Sequence, residues 1–240
     1  MEPGWNSGGT PGEDSVKSSR AEQIIELSVF LFLIVPSMVV SSFVVKQGTL
    51  NFVVVAIATI LRDISLVSLI FFFIWRNGEA VSRIGWTFKK PLREAGIGIA
   101  LFIPFFSGTV FLENALRLAG FSAPSRRLPS FLAVKGVAEI VLVVVLVVVV
   151  ALAEEIIFRG YLILRLKTVT SSPAAAVLLS AAIFSLGHGY EGSSGVVTVG
   201  VMGLVFALIY LWRESLVAPI VIHFLQDFMG IIVFPFLGKG

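Results

Sequence analysis

The stretch "ALAEEIIFRGYLIL", residues 151 to 164, puts two adjacent carboxylates and a guanidinium into a run that has just read "IVLVVVLVVVVALA". A charge at the centre of a membrane-spanning helix costs at least about 2.5–3.5 kcal/mol unless it is partnered, so such groups are kept for what they do. Two more clusters share the property: His188 follows "AAIFSLG", and His223 and Asp227 stand in "VAPIVIHFLQD". The chain has only two histidines, and both fall in apolar segments. Carboxylates and imidazoles gathered away from bulk water suit general acid–base chemistry. Glu154, His188 and His223 would also make a two-histidine, one-carboxylate zinc set with water as the fourth ligand, although no HExxH is present.

Spacing assigns roles on a regular helix. Glu155 and Arg159 are four residues apart in the favourable acid-first order and can neutralise each other. Glu154 points about 100° away from that pair, which leaves it as the candidate base. His223 and Asp227 are also four apart, so Asp227 can hold one ring nitrogen and fix the tautomer. Phe184, one turn before His188, would give that imidazole an apolar wall. Each feature has a plainer reading. The Glu155–Arg159 pair could be a structural salt bridge, a histidine near a helix end is often only packed, and Asp227 could merely satisfy His223. Arg62 and Asp63 are adjacent, point apart, need partners elsewhere and read as structural. The case for chemistry rests on the three clusters occurring together.

The elements that must position these groups follow from composition. Hydrophobic residues make up 57% of the 240, charged residues 14%, and mean hydropathy is +0.98. That is far from the roughly 25% charge of soluble domains. The chain reads as an all-α, polytopic transmembrane helix bundle with the catalytic site inside its last four helices. Apolar runs near 20 residues mark spans, and seven are expected: Leu27–Val45, Leu50–Trp75, Ala95–Leu112, about Val137–Leu164, Ser172–Gly189, Gly192–Trp212 and Ser215–Leu237. Phe131 to Ala138 could form an interfacial segment, and the last helix could bend at Pro235. The fourth and fifth spans form a hairpin around "TVTSSP" with Ser171 at its tip, which sets Glu154 level with His188. For His223 to share that depth, the tip must protrude from the bilayer. Small residues such as Gly200 and Gly203 read as close helix contacts.

Three regions result: a disordered polar tail at 1–21, spans one to three at 22–130, and a catalytic core at 131–240. The acidic, Gly-rich opening lacks the features of a cleaved signal, so the first span is expected to be retained. Without cysteine there is no disulfide, thiolate metal site or catalytic thiol. The net charge of +3 is spread over loops, which argues against a nucleic-acid partner. Ten Lys and Arg, Arg165 and Lys167 among them, flank one side of the spans and six the other, placing the N-terminus in the cytoplasm. The short length and the absence of a retention signal point to a prokaryotic plasma membrane.

The three clusters also carry a resemblance. "EEIIFR" matches an EExxxR motif, "FSLGH" an FxxxH motif and "HFLQD" an Hxxx(N/D/B) motif of the intramembrane proteases that process CAAX proteins and bacteriocins, the CPBP or Abi family. The similarity covers about residues 135 to 237, with "AEEIIFRGYLILRL" and "SLVAPIVIHFLQD" in family style. It implies that Glu154 activates water, that Glu155 and Arg159 complete its motif, and that His188, His223 and Asp227 fill the remaining positions. Asp at 227 is a less usual choice than Asn, which leaves open whether it orients a histidine or serves an oxyanion. The implied reaction is hydrolysis of a peptide bond in a membrane-embedded or lipidated substrate. A metal-free mechanism is favoured over zinc on the residues themselves, because Asp227 could support His223 as a ligand while His188 has no carboxylate one turn away to do the same. A non-enzymatic immunity or scaffold role is the alternative from a different class.

Overall fold

In the computed structural model the described residues are 19–47, 51–122 and 136–234. The expected tail at 1–21 and the segment from Phe131 to Ala138 lie mostly outside them, and the bend at Pro235 lies wholly outside. Among the described residues there are seven long helices and no strand. They are α1 (Arg20–Gln47), α2 (Phe52–Arg76), α3 (Pro91–Leu118), α4 (Val137–Thr170), α5 (Pro173–Leu186), α6 (Gly192–Arg213) and α7 (Val217–Val233). Short 3₁₀ turns at Val81–Ile84 and Gly189–Glu191 lie between α2 and α3 and between α5 and α6.

Local chemistry explains the boundaries. The Asn51 side chain accepts from Val53 N–H at 2.8 Å and caps α2. Ser172 accepts from Ala175 N–H ahead of Pro173, so a cap and an N1 proline open α5 together. Ser171 supplies the hairpin turn at φ 57°, where the tip was expected.

Five helices are long and apolar enough to cross a membrane: α1, α2, α3, α4 and α6. Phe32, Leu92, Phe111 and Leu118 stand exposed on outer faces, an apolar surface suited to lipid. The protein is a multi-pass membrane helix bundle. α5 and α7 are shorter apolar helices. With 14 residues α5 rises about 21 Å, less than the ~30 Å hydrocarbon core. α4 has 34 residues and rises about 51 Å, so its excess length must project.

α4 is the axis of the bundle, packing on α2, α7, α5 and α1, while α3 packs on α6 and α7. Gly160 is needed for one contact, because a Cβ there would lie 2.7 Å from the Ile84 carbonyl oxygen and lift the 3₁₀ turn off α4. At Gly203 a Cβ would meet Phe184 and Ala181 at 3.1 and 3.3 Å, so α5 and α6 do approach closely there; at Gly200 the space is ordinary.

Arg165, read above as a loop cation, is instead fully buried. Its Nε donates to Glu26 of α1 at 2.7 Å, and its terminal nitrogens reach Glu79 at 3.1 and 2.6 Å. Tyr161 and Asn77 also donate to Glu26, at 2.8 and 2.7 Å. α4 continues to Thr170, which carries Arg165 into the helix body, and two carboxylates from other elements offset the cost of burying its charge.

Candidate active site

The polar cluster forms where α4 leaves ideal geometry. Val137–Glu154 is α-helical, Glu155–Leu162 widens into π turns, and Ile163–Thr170 returns to α. Such π segments recur at functional sites, and all eight residues of this one are buried. The Ser180 hydroxyl of α5 donates to the Phe158 carbonyl at 2.6 Å, supplying a partner inside the widened stretch. The Phe158 and Phe184 rings meet with centroids 5.0 Å apart, so the hairpin register is the one expected from a tip at Ser171.

The ionisable groups stand in two tiers. The inner tier is sealed: Glu155 and Arg159 have side-chain exposures of 0% and 1%. Glu155 Oε1 lies 2.9 Å from an Arg159 terminal nitrogen and 2.8 Å from His223 Nδ1. The Arg159 guanidinium lies 4.3 Å from the Phe184 ring and 5.0 Å from that of Phe206. Neither terminal nitrogen makes an aligned hydrogen bond among the described residues. Charge and aromatic faces hold this group, rather than a bidentate fork.

Here one expectation is corrected. His223 is held at Nδ1 by Glu155 across the α4–α7 interface, not by Asp227 along its own helix. Asp227 Oδ2 is 3.6 Å from Nε2, beyond hydrogen-bond range. With Glu155 accepting from Nδ1–H, Nε2 is left facing Glu154 and Asp227.

The outer tier is partly exposed. Glu154 Oε2 lies 3.7 Å from His223 Nε2, and the Glu154 and Asp227 side chains are 17% and 24% exposed. Among the described residues, Glu154 Oε2 has no hydrogen-bond partner. The imidazole facing Glu154 is thus His223, where the sequence suggested His188. His188 lies just past the end of α5, which stops at Leu186 instead of Gly189. Its Nδ1 is 3.2 Å from the Phe184 carbonyl, and its ring centroid is 5.1 Å from that of Phe184. Phe184 is more than a wall for His188, since it also stands 6.1 Å from His223 and carries Arg159 on its face.

Two further carboxylates lie within reach of the cluster's charge. Glu191 ends the short Gly189–Glu191 turn that follows α5. It feels the charge of His188 and Glu154, and Asp227 feels that of His223, Glu154, His188 and Glu191. Gly195 makes room for it, since a Cβ there would lie 2.3 Å from Glu191 Cβ. Asp63 of α2 is buried and feels the charge of Glu154. Arg62 does not seek a distant partner but folds onto Asp63, Nε donating at 2.9 Å. An intramembrane acid is by default a functional candidate, and that signal was present at Asp63; for Glu191 the readable signal was Gly195 one turn later.

Among the described residues no group of three His, Asp or Glu side chains could hold an ion. His188 Nδ1 lies 3.2 Å from the Phe184 carbonyl of α5.

Residues 136–229 match the family model described as Rce1-like, type II CAAX prenyl endopeptidase Rce1-like. This range holds both tiers except Asp63 and its partner Arg62. No curated protein and no solved structure matches the chain.

Proposed function

We propose that this chain, whose residues 136–229 match the Rce1-like family model, is a metal-free intramembrane endopeptidase acting on a prenylated CAAX-type protein or another membrane-associated peptide precursor. One observation carries the reading. His223 is held at Nδ1 by Glu155 while Nε2 faces Glu154 at 3.7 Å, a pairing suited to holding and deprotonating one water. Glu154 takes the proton as the water oxygen bonds to the scissile carbonyl carbon. The carbon–nitrogen bond then breaks, and the proton passes from Glu154 to the departing nitrogen, leaving a carboxylic acid and an amine. His188, with Asp227 and Glu191 compensating its charge, supplies the hydrogen bond to the developing oxyanion. Glu155 and Arg159 hold His223 in place. The catalytic unit in this reading is 131–240, against which the helices of 22–130 pack.

The test is cleavage by purified protein in liposomes of a farnesylated peptide ending in a CAAX sequence, followed by mass spectrometry. Expected is a single cut that survives a strong chelator. Activity lost with the chelator and restored by one equivalent of zinc would overturn the metal-free mechanism. Binding of this peptide and its unprenylated counterpart with no cleavage of either would favour an immunity or scaffold protein.

We further propose a prokaryotic plasma membrane with the N-terminus in the cytoplasm, on the Lys and Arg asymmetry. A cysteine introduced in the loop from Asn77 to Arg93 should then react with an impermeant maleimide only after the cells are opened. Labelling of intact cells would reverse the orientation.

A further inference from the structure

Where the loop before α3, the C-terminal end of α4 and the α6–α7 turn meet, the bundle carries an open cavity of about 640 Å³. Its walls include Arg83, Lys89, Lys90, Arg93, Lys167 and Arg213 against only Glu94 and Glu214. Two of these cations are already satisfied. Arg213 donates to both oxygens of Glu94 at 2.8 and 2.6 Å, and Arg83 pairs with Glu79. Lys89, Lys90 and Lys167 are exposed, with no ion pair among the described residues. α3 also begins at this lip, with Pro91 in its first turn and no side-chain hydrogen bond from its cap residue Lys90. Its first N–H groups therefore add to the attraction for an anion.

A second, apolar slot of about 140 Å³ shares the walls Gly85 and Thr87 with this cavity. Trp86, Phe88, Leu152, Leu216 and Ile220 line it. The dividing loop is fixed, because Leu216 N–H donates to the Gly85 carbonyl at 3.1 Å. Gly85 at φ 72° tolerates no side chain there, since a Cβ would lie 2.4 Å from the Tyr210 ring. A basic chamber on one side of this loop and an apolar slot on the other, both at the helix ends, suit a ligand with an anionic head and a hydrocarbon tail that pass over the loop between them. Aromatic residues such as Trp86 and Phe88 are typical of that depth in a membrane protein.

We propose that this pair of cavities binds an anionic phospholipid, its phosphate headgroup among Lys89, Lys90 and Lys167 and an acyl chain in the slot beside Trp86. The site is separate from the candidate active site and does not depend on the protease reading. Phosphate chemistry alone would also admit a free phosphate; the slot favours the lipid.

The experiment measures thermal unfolding of the full chain in phosphatidylcholine nanodiscs with and without phosphatidylglycerol. Phosphatidylglycerol is expected to raise the midpoint by about 5 °C. The Lys89→Gln, Lys90→Gln, Lys167→Gln triple variant should lose the shift while keeping its midpoint in phosphatidylcholine, and the matching Lys→Arg triple should keep the shift. If the Gln triple does not fold, Lys167→Glu alone should at least halve it. A shift of equal size from extra phosphatidylcholine, or one that persists in the charge-removing variants, would overturn the site. An equal shift from millimolar inorganic phosphate would overturn the lipid assignment.

Discussion

Glu154→Gln is expected to lower peptide cleavage by about 10²–10⁴-fold, the usual worth of a general base, with the unfolding midpoint unchanged. Glutamine keeps the shape and removes only the capacity to take a proton. The structure gives no reason for it to destabilise, because Glu154 Oε2 has no hydrogen-bond partner among the described residues and the side chain is 17% exposed. Activity and stability should therefore separate cleanly at this position. Cleavage within tenfold of the parent would remove Glu154 from the mechanism. A loss matched by a large fall in the unfolding midpoint would assign it to the fold instead.

Glu155→Ala is expected to behave in the opposite sense, destabilising the protein by about 3–5 kcal/mol, because it strands a buried cation and removes the partner of His223 Nδ1. Activity falls with it, since His223 is then free to turn. The Glu155→Gln, Arg159→Met double variant should recover much of the stability, as buried ion pairs are often replaceable by apolar groups at little net cost. It should not recover activity. Thermal unfolding in detergent of Glu154→Gln and Glu155→Gln side by side is the direct comparison. Equal midpoints would show that the sealed and open tiers do not differ as their burial implies.

Much of this was readable along the chain. The Glu155–Arg159 pair needs only a helical repeat, and it forms at 2.9 Å even through a π segment. Both hairpin ends announce themselves locally, through Ser171, the Ser172 cap and Pro173. Harder to read were contacts between elements. Arg165 looked like a flanking cation because a count of Lys and Arg cannot see that Glu26 and Glu79 come to meet it. Arg62 seemed to need a distant partner because helix projection ignores the reach of a long side chain onto its neighbour.

The apolar helices, the hairpin tip and the roll of groups able to do chemistry follow from the chain alone, because they depend on hydropathy over a window and on spacing within one helix. Only the tertiary structure decided which carboxylate holds His223. Asp227 has the right spacing for it, yet the rotation of α7 against α4 brings Glu155 to 2.8 Å of Nδ1 and leaves Asp227 at 3.6 Å from Nε2. α5 likewise ends at Leu186, which leaves His188 beyond the helix against the Phe184 ring. Helix rotation and depth are properties of packed pairs, and no periodicity within a single helix encodes them.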